Sequence, residues 1–121
     1  MTTEQTNNFE NLRSKINSRL EKAKQEIEEL SVQFNLGKAE AADKFESVKK
    51  DFHSKVNEWK IIGEQIKSTG KEKSQTLKSK LEELQVQLAL GKAEAKDLFH
   101  EQKKKIMKSI SELETEIRKK V

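Results

Sequence analysis

The side chains able to do chemistry in this chain are two histidines, 21 carboxylates and 25 basic groups, with no cysteine and no tyrosine. Without cysteine there is no disulfide, no thiolate metal site and no sulfur nucleophile. His53 and His100 are the only imidazoles, and neither belongs to a His-x-x-x-His or Glu-x-x-His pair of the kind that seeds a metal site. They are expected to face solvent or pack against neighbours. The carboxylates alternate with lysines at helical spacing, as in Glu40 with Lys44 and Glu101 with Lys105. That is the pattern of a charged helix surface, worth a few tenths of a kcal/mol per pair. Acid–base catalysis instead needs carboxyls gathered where their proton affinity is shifted. The four glycines lack the spacing of a phosphate loop. The expectation is a non-enzymatic protein with no cofactor, no metal and no small-molecule substrate.

Lys103-Lys104-Lys105 and Arg118-Lys119-Lys120 are the basic runs. Residues 1–66 carry 11 basic against 12 acidic groups and residues 67–121 carry 14 against 9, so the net +4 sits in the second half. Such runs could meet anionic lipid or nucleic acid. Glu112, Glu114 and Glu116 interrupt them and no aromatic lies between, so solvated surface is the simpler reading.

Positioning any of these groups falls to helices. Only 32% of the chain is hydrophobic and 38% is charged, with no proline, too little apolar matter for a thick globular core. The apolar residues are periodic, which argues against disorder. One stripe runs Leu12, Ile16, Leu20, Ala23, Ile27, Leu30, Phe34, Gly37, Ala41, Phe45, Val48, Phe52, Val56, Trp59, Gly63, Ile66: 15 steps over 54 residues, or 3.6 per step, the α-helical period. A second runs Leu77, Leu81, Leu84, Leu88, Gly91, Ala95, Phe99, Gln102, Ile106, Ile110, Leu113, Ile117. A period of 3.6 rather than 3.5 predicts nearly straight helices.

The two stripes are copies. Leu36-Gly37-Lys38-Ala39-Glu40-Ala41 returns 54 residues later as Leu90-Gly91-Lys92-Ala93-Glu94-Ala95. Between them, Thr69 and Gly70 read as the turn, with Thr69 and Glu72 at capping-box spacing. Asn7 and Glu10 could cap the first helix in the same way.

These signals predict an all-α antiparallel two-helix coiled-coil hairpin. An unstructured start over 1–7 leads to helix 1 over 8–67, a turn over 68–70 and helix 2 over 71–121, with helices of ~90 and ~75 Å. A mirror about Gly70 then sets Trp59 against Leu81, Val56 against Leu84, Phe52 against Leu88, Phe34 against Ile106, Leu30 against Ile110 and Ile27 against Leu113. At the midpoints it sets Phe45 against Ala95 and Ala41 against Phe99, large against small. The rival reading makes Gly37 and Gly91 turns and gives a bundle of four shorter helices. Lys-Ala-Glu-Ala after each glycine and the unbroken phase of the stripe weigh against it. A single helix in a parallel dimer would waste the mirror match.

A lone hairpin would leave Val32, Leu36, Val86, Leu90 and Leu98 uncovered, and Leu12 and Ile16 overhanging. That predicts a homodimer forming a four-helix bundle, or a protein partner on this second face. The expected role is a scaffold, spacer or adaptor. A peripheral lipid-surface protein is the alternative, and weak nucleic-acid binding comes third. No apolar run reaches membrane-span length and there is no signal-peptide core, so a cytoplasmic setting is the expectation.

Overall fold

The computed structural model of the chain describes the backbone over residues 3–65 and 71–118, and side chains over 10–62 and 76–118. It is all-helical in the described residues: α1 (Thr3–Asn35), α2 (Ala41–Gln65), α3 (Lys71–Leu88) and α4 (Lys96–Arg118). Each helix packs on two others in a closed ring, α1 on α2, α2 on α3, α3 on α4 and α4 back on α1. The pairs Lys24–Glu114, Asp43–Lys92 and Lys80–Glu112 show neighbours running antiparallel. One chain therefore makes an up-down-up-down four-helix bundle.

This corrects the expected pair of continuous helices over 8–67 and 71–121. The first breaks after Asn35 and the second after Leu88. The N-terminal boundary also differs, because α1 already begins at Thr3 and Asn7 lies inside it rather than capping it. The expected turn at Thr69 and Gly70 lies outside the described residues.

The break at Gly37 has a specific cause. Gly37 has φ +71°, the one positive φ among the described residues. Its amide donates to the Phe34 carbonyl at 3.1 Å while the Lys38 amide donates to the Gln33 carbonyl at 3.0 Å. That pair of bonds is a Schellman motif, which closes the last carbonyls of a helix when the residue after it turns left-handed. A Cβ at Gly37 would meet nothing within 4 Å, so only backbone conformation resists a side chain there. Gly37→Ala should cost about 1 kcal/mol. Gly91 has no positive φ and is equally open, so Gly91→Ala should stay within about 0.5 kcal/mol. Urea denaturation of the two variants makes the comparison, and equal losses would refute this account of the turn.

The core is the stripe. Leu12, Ile16, Leu20, Ala23, Ile27, Leu30 and Phe34 from α1 are buried against Ala41, Phe45, Phe52, Val56 and Trp59 from α2. Leu77, Leu81, Leu84 and Leu88 from α3 and Phe99, Ile106, Ile110, Leu113 and Ile117 from α4 complete it. α1 packs on α4 and α2 on α3, the helices that a mirror about residue 70 would pair. Lys24 with Glu114 and Lys60 with Gln85 straddle that point within a few residues. A further reversal comes at the loops over 36–40 and 89–95, where α1 turns back on α2 and α3 on α4.

At that second fold the expected pairing changes. Phe45 meets the Phe99 ring edge-to-face at 4.9 Å, and Phe34 stacks on Phe99 at 4.1 Å. Ala95 is exposed, whereas Ala93 and Ala41 are buried. Leaving helical geometry between Ala89 and Ala95 changes which alanine points inward.

Candidate functional sites

Antiparallel packing brings both Leu-Gly-Lys-Ala-Glu-Ala loops to one end of the bundle, where α1 and α3 finish and α2 and α4 start. The two loops close their helices differently. At the end of α1 the backbone supplies its own donors. At the end of α3 the Ala89 and Leu90 amides donate to the Gln85, Val86 and Gln87 carbonyls, and a side chain holds the loop beyond: the Lys49 ammonium, on α2, lies 3.0 Å from the Leu90 carbonyl and 3.2 Å from the Gly91 carbonyl. Lys49 is 1% exposed. It also donates to Gln102 Oε1 at 2.8 Å, pairs with Glu46 at 3.2 Å and sits 4.8 Å from the Phe45 ring centre. A cation at a helix C-terminus meets the negative end of the helix dipole. Arg13 does the same for α4, donating to the Ile117 carbonyl. The periodicity placed neither residue, because an inward-turned lysine reads as one more surface lysine in sequence. The repeat does not help either: Lys103, the counterpart of Lys49, pairs with Glu28 at 3.0 Å.

Of the residues expected on a dimer surface, Leu12 and Ile16 are core, packed inside the single chain. The reason is that α1 and α4 are now only two of four walls, so nothing overhangs. Leu90 is half-buried. Val32 (58% exposed), Leu36 (68%), Val86 (63%) and Leu98 (46%) remain open. All four lie in the half of the bundle that carries the two loops, Leu36 in the first loop itself.

His53 and His100 are both half-buried. The His100 ring lies 5.4 Å from that of Phe99 and 3.4 Å from Asn35 Oδ1. Among the described residues no group of three or more His, Asp or Glu could hold a metal ion. No described helix is long and apolar enough to cross a membrane.

The charged groups with shifted proton affinity belong to ion pairs between helices. Glu114, buried on α4, is reached by Lys24 at 3.2 Å, which also touches Glu21 at 3.3 Å. A hydrogen bond shared with Glu114, then the hydrogen bond and charge of Lys24, hold Glu21 below its ordinary value. The hydrogen bond from Lys24 to Glu114 raises Lys24, and Asp43, 2.7 Å away, raises Lys92. A depressed carboxyl stabilises the fold above its unfolded value near pH 4.5, and that contribution is lost as pH falls through the folded value. A raised lysine contributes fully below about pH 10.5 and loses its contribution as pH climbs through the folded value. Stability should therefore be flat between roughly pH 6 and 9 and fall on both sides. Thermal melts across pH check this, and a maximum confined to acidic pH would contradict it.

The basic run on α4 is partly committed: Lys103 pairs with Glu28, and Lys105 lies 3.6 Å from Glu101. Lys119 and Lys120 lie outside the described residues. A second basic region lies between α1 and α2, a groove of about 470 Å³ lined by Ser14, Lys15, Ser18, Arg19, Lys22, Lys55, Glu58 and Trp59. It occupies the half of the bundle away from the loops.

Comparison with known proteins found no match to a family model, a curated protein or a solved structure.

Proposed function

We propose that this chain is a non-enzymatic structural and interaction protein, a helical bundle acting as scaffold, spacer or adaptor and homodimerising through its loop end. The observation that carries the reading is the exposure of Val32, Leu36, Val86 and Leu98 in that one half of the molecule. The stripe already fills the core within one chain, so these side chains add nothing to the fold that holds them. Burying a side chain of this size is worth about 1.5–3 kcal/mol, so a partner covering these corners would gain from each of them. The repeat sets Val32 and Leu36 at one corner and Val86 and Leu90 at the equivalent corner. A self-similar end of this kind suits an isologous pair, in which the same surface serves both partners.

Light scattering tests it. The wild-type chain is expected at dimer mass, and the double variant Leu36→Glu/Val86→Glu at monomer mass with unchanged helicity. A wild-type monomer at every concentration would remove the homodimer. Adding anionic vesicles supplies a further arm: helices that leave the bundle to bind lipid would replace this reading with that of a lipid-surface protein.

A further inference from the structure

We infer that the groove between α1 and α2 is a binding site for a linear polyphosphate chain. Four cations line it, Lys15, Arg19, Lys22 and Lys55, against one carboxylate, Glu58. Among the described residues Lys15 and Lys22 have neither an ion pair nor a hydrogen bond, and both are exposed. Seven residues separate them along α1, about 10 Å of rise, so a chain of successive phosphates can span them. Arg19 lies between, its guanidinium 5.4 Å from the Phe52 ring centre and 2.9 Å from Glu26 Oε1. That anchors one positive charge on the floor while the lysines reach in from the rim. Glu58 pairs with Lys55 at 3.6 Å, and Glu26 with Arg19, so Lys15 and Lys22 are the charges an incoming anion would neutralise.

The repeat provides an internal control. Fifty-four residues on, Lys15, Lys22 and Lys55 correspond to Thr69, Thr76 and Ser109, and Ser109 is buried. Core positions keep their character in both copies, Trp59 matching Leu113. The second hairpin needs no such cations to fold, so those of the first are not explained by packing. Trp59 is only 4% exposed and offers no face on which a base could stack, which favours polyphosphate over a nucleic acid. Ser14 and Ser18 add exposed hydroxyl donors along the same wall.

Titration calorimetry at about 0.15 M ionic strength with tripolyphosphate and with long-chain inorganic polyphosphate tests the site. Both should bind, the longer chain more tightly. Lys15→Gln/Lys22→Gln/Lys55→Gln should weaken binding about tenfold or more. Lys104→Gln/Lys105→Gln/Lys108→Gln, which alters the basic run on α4, should leave it unchanged. Circular dichroism confirms that each variant folds, and the single variant Lys22→Gln serves if the triple one does not. No binding by wild type, or equal weakening by both triple variants, overturns the site. Tighter, equally lysine-dependent binding of oligothymidylate or of phosphatidylglycerol vesicles would reassign it to nucleic acid or to membrane.

Discussion

Phe99→Ala is expected to lower the unfolding free energy by about 3–5 kcal/mol. Phe99 is fully buried, stacked on Phe34 and edge-on to Phe45. It stands at the loop end, where rings from α1, α2 and α4 meet. Deleting the ring removes apolar area and leaves a void beneath two other rings, and aromatic pairing of this kind adds about 0.5–1.5 kcal/mol beyond area. The loop end cannot collapse freely to fill the void, because Lys49 and the Gly37 turn hold its other walls. Leu98→Ala, one residue away on a side chain 46% exposed, should stay within about 0.5 kcal/mol. Urea midpoints at constant slope give both values. A loss below about 1 kcal/mol for Phe99 would mean that the three rings do not share a core.

The second large effect is expected at Lys49. Lys49→Met keeps most of the aliphatic stem but deprives the Leu90 and Gly91 carbonyls of the ammonium that caps them. A buried polar group left without a partner costs about 1–3 kcal/mol. Against that, removing the ammonium also relieves the cost of holding a charge away from water. The Gly91 carbonyl keeps the Gln102 amide as a donor, so the loss falls on the Leu90 carbonyl, and a net loss of about 1–2 kcal/mol is expected. The damage should be local. Amide exchange at Ala89 and Leu90, just past the end of α3, should quicken more than at Gly37 and Lys38, just past the end of α1. Uniform acceleration at both loops would show that Lys49 supports the whole bundle rather than one helix end.

The stripe was legible because burial follows the helical period: apart from Gly37, Gly91 and Ala95 at the loops, residues from Leu12 to Trp59 and from Leu77 to Ile117 picked at that spacing are buried or half-buried. The number of helices was not, and Gly37 shows why. The stripe steps four residues across the loop, from Gly37 to Ala41, as one turn of helix would, so a loop and a continued helix leave the same spacing behind. Lysine and alanine after the glycine favour helix locally, yet the Schellman closure and a second pair of walls around the core win. The dimer surface was misassigned at Leu12 and Ile16 for the same reason: once the hairpin folds back, residues assigned to an overhang become interior. The Lys49 and Arg13 caps were hidden, since neither residue type nor spacing says which lysine turns inward.

One backbone angle at Gly37 carries a consequence for assembly. The stripe keeps phase on both sides of it, and α1–α4 and α2–α3 contacts do not depend on which way the loops run. If φ at Gly37 moved into the right-handed region and residues 89–95 became helical, each chain would straighten into a long hairpin. Two such chains laid end over end would regain the same buried contacts, each supplying the half that the other lost. A side chain at position 37 that disfavours the left-handed region pushes in that direction, so Gly37→Ala should also raise the fraction of exchanged dimer at high protein concentration.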